Sequence, residues 1–382
     1  MPRRRPRAWR PDMADLTRRA FGVLASSGAL AGCATLQPQG FTEPLAPAGP
    51  FRLAPVHVSE DRVIRVVAGL RPYRASGFVV RAERLGDKTL VHNYGHGGGG
   101  ITLSWGTSEL AVDLGFAGPD RDYAVLGCGA VGLATARLIQ LRGGRVTVYA
   151  KALPPQTTSN IAGGQWWPTS VFDAAVATPA FLAQYAQAAR LAYRRYQLMV
   201  GDAYGIGWRR NYFVGQPSLE AAVGSLADVA PEARLLQTGE HPFGTEKVVQ
   251  IDMMQVEPSI YLPAMMRDLL VAGGKLEVRE LRDRAEVAAL PEPVVFNCTG
   301  LGAGALFGDK ELEPVRGQLV VLLPQPEVTY NLLSGPSYMF PRHDGIVLGG
   351  TFDHGVWETQ PQPDITARIL ARQKALFARM KT

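Results

Sequence analysis

The stretch from Asp122 to Ala150 limits what this chain can fold into more than any other. Tyr123-Ala124-Val125-Leu126 is a short apolar strand, and Gly127-Cys128-Gly129-Ala130-Val131-Gly132 follows it without a gap. An alanine- and leucine-rich helix then runs to about Leu141, and Val146-Thr147-Val148-Tyr149-Ala150 forms a second strand. In such a unit the first glycine permits a tight turn, the second lets backbone approach a pyrophosphate, and the third lets helix pack on strand. The helix N-terminus supplies unpaired N–H groups and the positive end of its dipole. Glycine-rich turns also join strands for packing alone, so the turn by itself is a weak signal. Strand, turn, helix and strand together predict a dinucleotide site in a Rossmann-like α/β unit. One position departs from the pattern. Lys151 stands where an acidic residue would bind ribose hydroxyls. A lysine there suits a 2′-phosphate, and hence NADP, or is a solvated residue with the ribose held by backbone.

At 382 residues the chain has room for one large two-lobed domain or two ordinary ones. Its 46% hydrophobic and 19% charged residues are those of a globular protein with a sizeable core. The formal charge of +6 is concentrated at one end. Residues 1–32 hold seven arginines against two aspartates, Asp12 and Asp15, and so contribute +5 of it. No basic face is left in the body, which excludes nucleic acid as a partner.

That N-terminal block reads as an export signal over residues 1–33. Thr17-Arg18-Arg19-Ala20-Phe21 resembles a twin-arginine motif, and an apolar stretch from Phe21 to Ala31 follows. The stretch is too short to span a bilayer. It ends on Leu30-Ala31-Gly32-Cys33, which resembles a lipoprotein box whose acylated thiol would anchor the protein to a membrane after export. A start at Met13 would give the signal a more usual length. Residues 34–52, rich in Pro, Gly and Ala, read as a linker. The other cysteines, Cys128 and Cys298, fall in glycine-rich loops and make no disulfide framework.

Four longer segments carry a family resemblance. They are Thr157-Thr158-Ser159-Asn160-Ile161-Ala162-Gly163-Gly164-Gln165-Trp166-Trp167-Pro168, the run Val295 to Leu306 with Arg316-Gly317-Gln318, the run His92-Asn93-Tyr94-Gly95-His96-Gly97-Gly98-Gly99-Gly100 to Gly106, and Gly69-Leu70-Arg71-Pro72. Together they strongly resemble the D-amino-acid oxidases, a family that includes D-aspartate oxidases, over nearly all of residues 60–382. The order differs from the family's. There the last two segments lie near the C-terminus, whereas here they come first and the chain ends on the helix that should precede them. The resemblance therefore implies a circular permutation with its joint near Gly115 to Arg121, which a fold tolerates when its old termini were close. Independently, four glycines after a histidine give N–H groups in a loop of low bulk that can approach a ring or an anion.

The resemblance implies an FAD lobe of residues 53–207, 256–312 and 363–382, and a mostly antiparallel substrate lobe of residues 208–255 and 313–362. FAD would be held by Gly127, Gly129, Ala130, Val131 and Gly132, with Lys151 beyond them. Thr157, Thr158, Ser159, Gly163, Gly164 and Gln165 would contact it as well. Leu281 and Thr299 would lie near the adenosine, Cys298 and Gly300 would contact the cofactor beside them, and Gly97, Gly98, Gly99, Gly100, Ile101 and Thr102 would wrap the isoalloxazine side. Arg71 would grip the substrate carboxylate with its two-pronged guanidinium, Tyr338 would reach the same carboxylate, and the Gly98 carbonyl would accept from the amino group. A second family tyrosine is replaced by Ser334. Asn331 and Phe352 stand where D-aspartate oxidases place arginines, which points to a neutral or apolar side chain. The implied reaction passes the α-hydrogen as hydride to flavin N5, with no residue acting as base, and dioxygen is reduced to hydrogen peroxide. Two alternatives stay open: a membrane-anchored dehydrogenase passing electrons to a quinone or protein, and a non-catalytic D-amino-acid-binding protein. A homodimer is compatible with either.

Overall fold

β-Branched and aromatic residues, which suit a pleated and half-buried surface, recur in β1 (Val63–Tyr73), which with β2 (Val79–Leu85) and β3 (Lys88–Tyr94) precedes helix α1 (Gly100–Gly115). The glycine turn comes next, between β4 (Asp122–Leu126) and α2 (Ala130–Leu141), with β5 (Arg145–Ala150) after it. Then follow α3 (Pro179–Gln197), β6 (Ile206–Gly215), β7 (Arg234–Leu236), β8 (Lys247–Val256), α4 (Pro258–Val271) and β9 (Lys275–Val278). Short helix α5 (Arg284–Ala288), β10 (Val294–Asn297) and α6 (Gly302–Phe307) lead into β11 (Glu313–Leu322). The remaining elements are β12 (Tyr330–Ser334), β13 (Ser337–Arg342), β14 (Gly345–Gly349), β15 (Asp353–His354) and α7 (Pro363–Phe377). This computed structural model describes residues 52–215, 224–244 and 246–380. The expected export signal, Cys33 and nearly all of the linker lie outside the described residues.

Two sheets organise these elements. The smaller has the order β2-β3-β10-β4-β5-β9. Its strands from β3 to β9 are parallel, and β2 is an antiparallel edge. Residues 123–126 of β4 are all buried, as a strand covered on both faces requires. Helices α1 and α2 cover one face, with α3 against α1 where Gly106 allows close approach: a Cβ at that position would lie 1.7 Å from the Ala188 carbonyl oxygen. Leu85, Leu90, Leu126 and Tyr149 meet Val287 and Leu290 on the other face. Because β10 lies between β3 and β4, the chain turns that leave β4 and β10 run side by side, and Cys298 N donates to Leu126 O over 2.9 Å. Such a switch in strand order opens a crevice at the carboxyl ends of the strands.

The larger sheet runs β1-β11-β14-β13-β12-β6-β8-β7, with β15 also on β11. Its pairs are antiparallel except β12 with β6. Side chains alternate between its faces. Val320, Leu322, Ile346 and Leu348 join α7 on the outer face, while Leu319, Val321, Phe340 and Val347 meet Ile161 on the inner one. Fully buried Arg316 fastens the crossing to α7, donating to the carbonyls of Glu358 (2.9 Å) and Gln360 (3.0 Å) and to Gln318 Oε1 (2.8 Å).

The sequence grouping put β1 and the last helix with the cofactor lobe. Both instead complete the larger sheet. β1 pairs with β11 from Val63↔Leu322 to Tyr73↔Glu313, giving that strand the neighbour an open edge would lack. α7 buries Ile365, Ile369, Leu370 and Phe377, a helical stripe, on the outer face. The ends of the described chain meet there. Tyr330 donates its hydroxyl to Ala54 O over 2.7 Å and lies 3.9 Å from Met380 Sδ, and Val56 shares a cluster with Met380.

Candidate active site

The glycine turn after β4 has no room for a side chain at Gly127 or Gly132. Gly127 has φ +100°, and a Cβ there would lie 2.5 Å from Cys298 O; one on Gly132 would lie 2.0 Å from Gly127 O. The turn is therefore bare backbone against the start of α2. Gly129, the N-cap of that helix, offers no side-chain cap, and Ser159 Oγ accepts only from Ala130 N, at 3.0 Å. A helix start of this kind leaves first-turn amides for an anion. Beside it lies the turn after β10, where Thr299 N and Oγ1 both donate to Asn297 Oδ1, at 3.2 and 2.7 Å, and Gly300 has φ +57°.

A second bare helix start lies at α1. Gly98 N donates to Ser170 O over 2.9 Å, and a Cβ on Gly97 (φ +54°) would lie 2.2 Å from that same oxygen. Ser170 holds φ 55°, a conformation that costs a side-chain-bearing residue energy and often marks a functional segment. Gly99 caps α1 without a side chain, and Thr102 Oγ1 donates to Gly99 O. Behind the loop, His96 stacks on Phe78 and shares a hydrogen bond of 2.9 Å with Thr107 Oγ1. Burial drives the His96 imidazole down to a pKa of about 3, so it is neutral at working pH.

β1 connects these turns to the larger sheet. Its Pro72 ring lies against Gly300 and its Tyr73 ring against Gly97. Arg71 projects from the same strand, donating to Thr351 O at 3.2 Å with its guanidinium 5.1 Å from the Phe352 ring centre. Gly317 makes room for it: a Cβ there would lie 2.5 Å from the Arg71 nitrogens. Tyr338 stacks on Phe340, ring centres 4.7 Å apart, and lies over Gly349, where a Cβ would come within 2.0 Å of its ring. Burial pushes the Tyr338 phenol up, and Arg71 is the first group that pulls it back down. The two side chains are neighbours: Arg71 holds the carbonyl of Thr351, and a Cβ on the preceding Gly350 would lie 3.0 Å from the Tyr338 hydroxyl. Gly163 adjoins the Tyr338 ring as well, since a Cβ there would lie 2.9 Å from Phe340 and 3.4 Å from Tyr338.

The FAD-dependent oxidoreductase family matches residues 122–382. A D-amino-acid oxidase of Streptomyces coelicolor is 34% identical over 263 residues, covering 67% of this chain and 78% of that protein. The human D-aspartate oxidase is 31% identical over 264 residues, 66% of this chain and 75% of that one. The chain belongs to this family of FAD-dependent oxidoreductases. In fold, the oxidoreductase is similar to glycine oxidase from Geobacillus kaustophilus, with a TM-score of 0.52 at 19% identity over 66% of this chain and 76% of that one. The residues present fit FAD: a turn too tight for side chains at Gly127 and Gly132, a helix start for the pyrophosphate whose N-cap residue has no side chain, and a second such start at Gly99–Gly100.

Not every expected residue of the oxidoreductase turns toward this crevice. Gln165 donates its side-chain amide to Asn211 Oδ1 at 2.7 Å, so that nitrogen is turned to β6. Leu281 packs against the sheet-face cluster under α5. Lys151 is exposed, 3.7 Å from Glu280 Oε1. Thr157 donates to Asn160 Oδ1. Thr158, Ser159, Gly163 and Gly164 line the strap between the sheets, where Val256 N donates to Gly164 O at 2.7 Å. Cys128 and Cys298 are free thiols, both pushed by burial to about 12 and so inert as nucleophiles.

Sequence reasoning missed the amide contacts that hold this strap and the tyrosine, and singled out Asn331 only as a position facing the substrate side chain. Gln255 donates to Gly163 O at 2.9 Å, and Asn331 donates to Gln255 Oε1 and Asn211 Oδ1, each at 3.0 Å. Gln373 of α7 donates to Tyr338 O at 2.8 Å. These are single amides scattered over four elements, without a motif. The Gly349-Gly350 pair was a readable sign, because adjacent glycines in a strand imply close approach of another group.

Proposed function

We propose that the enzyme oxidises D-amino acids with neutral side chains to imino acids and returns the electrons to dioxygen. The observation that carries this is the pairing of Arg71 with Tyr338 beside the bare Gly97–Gly98 turn. Arg71 offers a planar fork of donors and Tyr338 a hydroxyl, a set matched to one carboxylate. The Gly98 carbonyl is the acceptor assigned to the amino group. Bound FAD supplies a two-electron acceptor; the rest of the chemistry is orientation by the protein. His96, neutral and bonded to Thr107, is not placed to take a proton, in keeping with a reaction that needs no base.

Phe352 supports a neutral side chain: it lies edge-on to Tyr73 with ring centres 6.4 Å apart and so forms an aromatic wall beside Arg71. Arg342, the next cation near Tyr338, is taken up by Asp344 at 2.8 Å. The roles given to the site residues, the lobe boundaries with β1 and α7 moved to the larger sheet, and the permuted order belong to the same proposal. The meeting of Ala54, Met380 and Tyr330 supports the permutation, since a family chain would need a short connection at that place. Export and lipid anchoring at Cys33 are proposed from the N-terminal motifs alone. Oxygen uptake with a neutral D-amino acid, its L-enantiomer and D-aspartate tests the reading. Consumption with the first alone is expected, and equal rates with D-aspartate would remove the side-chain assignment.

A further inference from the structure

A cavity of about 340 Å³ opens on the face of the smaller sheet that α1 and α2 do not cover, between β2, β3 and the segments around α5 and α6. None of the residues assigned to FAD or substrate lines it. His92 forms part of its wall, a side chain 1% exposed. The protonation of this imidazole can be worked out from its neighbours. Asn297 Oδ1 already accepts from Thr299, so Asn297 Nδ2 is the group facing His92 Nδ1 at 3.0 Å. Nδ1 is then an acceptor, and the proton of the neutral ring sits on Nε2. That N–H is buried and finds no hydrogen-bond partner among the described residues; Glu83 Oε2 is nearest, 3.5 Å away. With only this long contact to the Glu83 carboxylate the donor is under-satisfied, and a buried donor left without a partner costs up to about 1–3 kcal/mol, so the arrangement leaves room for a better acceptor.

The charges at the cavity mouth point the same way. Arg81, Arg284 and Lys310 face Glu83 alone, because Arg74 and Asp309 are bound to each other at 2.8 Å. Glu83 takes Arg284 at 2.9 Å and leaves Arg81 at 3.8 Å, outside hydrogen-bond reach. Phe307 gives the cavity an apolar wall, with the Arg284 guanidinium 5.6 Å from its ring centre. The volume is in the range of small-molecule sites and larger than a lone oxyanion needs.

We infer that this cavity binds a small organic molecule carrying a carboxylate or phosphate group, with the anion received by His92 Nε2–H, Arg81 and Lys310 and the body of the molecule against Phe307. It is separate from the substrate site, which lies on the other sheet around Arg71.

The test is calorimetric titration of the FAD-loaded enzyme at fixed ionic strength with two probes, glycerol phosphate and succinate. Saturation at one site per chain by either probe is the expected result, and which probe binds tells phosphate from carboxylate. The double variant Arg81→Gln, Lys310→Gln changes only exposed rim residues and should weaken that binding by about tenfold or more, the effect of losing charge-assisted hydrogen bonds. Arg71→Lys should leave it unchanged. Failure of both probes to saturate, equal affinity in the rim variant, or loss of binding in Arg71→Lys would each overturn the assignment.

Discussion

Arg71 reaches its position because Gly317 has no side chain, and its charge bears directly on the Tyr338 phenol. Replacing it with lysine keeps the charge and removes the paired geometry. Loss of one charged hydrogen bond, roughly 1.5–3 kcal/mol, should lower kcat/KM roughly 10- to 100-fold with FAD still bound. Steady-state kinetics beside the flavin spectrum check this, and unchanged turnover would remove Arg71 from the site. A second expectation concerns pH. His96 has its pKa lowered by burial from 6.5 to about 3, so on unfolding it takes up a proton at any pH between those values. The unfolded state binds more protons there, and stability falls as pH falls, by up to about 1.4 kcal/mol per unit from this one group. Urea unfolding at pH 5, 6 and 7 should show a shallower slope in His96→Gln than in the parent. Equal slopes would mean that His96 is not buried as a neutral ring.

Among the elements, the β4–α2–β5 unit was legible because its chemistry is local: a glycine at each tight point, an apolar strand on either side. Gly132→Ala should abolish FAD retention, since the new methyl would lie 2.0 Å from Gly127 O and would force the turn open. Protein that folds but purifies colourless is the outcome expected; a normal flavin content would mean that the turn does not hold the pyrophosphate. β1 and α7 were legible as elements but not in their sheet. Their partners, β11 and the outer face of β14, are far away in sequence, and neither apolar stripe names the surface it will cover. The amide bridge Gln165–Asn211–Asn331–Gln255 was invisible for a related reason. A polar residue in a strand reads as solvent-facing until the sheet that buries it is known.

For the whole molecule, the order of segments and the closeness of Ala54 and Met380 around Tyr330 lead to one experiment in design. A chain that begins at Asp122, joins Thr382 to Arg52 through a short flexible linker and ends near Gly118 should fold and bind FAD, because Ala54 and Met380 both lie against Tyr330. An insoluble or flavin-free product would count against the permuted order. The central claim is catalytic, and anaerobic mixing with substrate tests it most directly. Purified FAD-loaded enzyme should lose its oxidised flavin absorbance when mixed without oxygen with a panel of neutral D-amino acids, and keep it with the L-enantiomers. Admitting air should restore the colour and release hydrogen peroxide. Flavin that stays oxidised across neutral D-amino acids, glycine, sarcosine and D-proline would contradict the account.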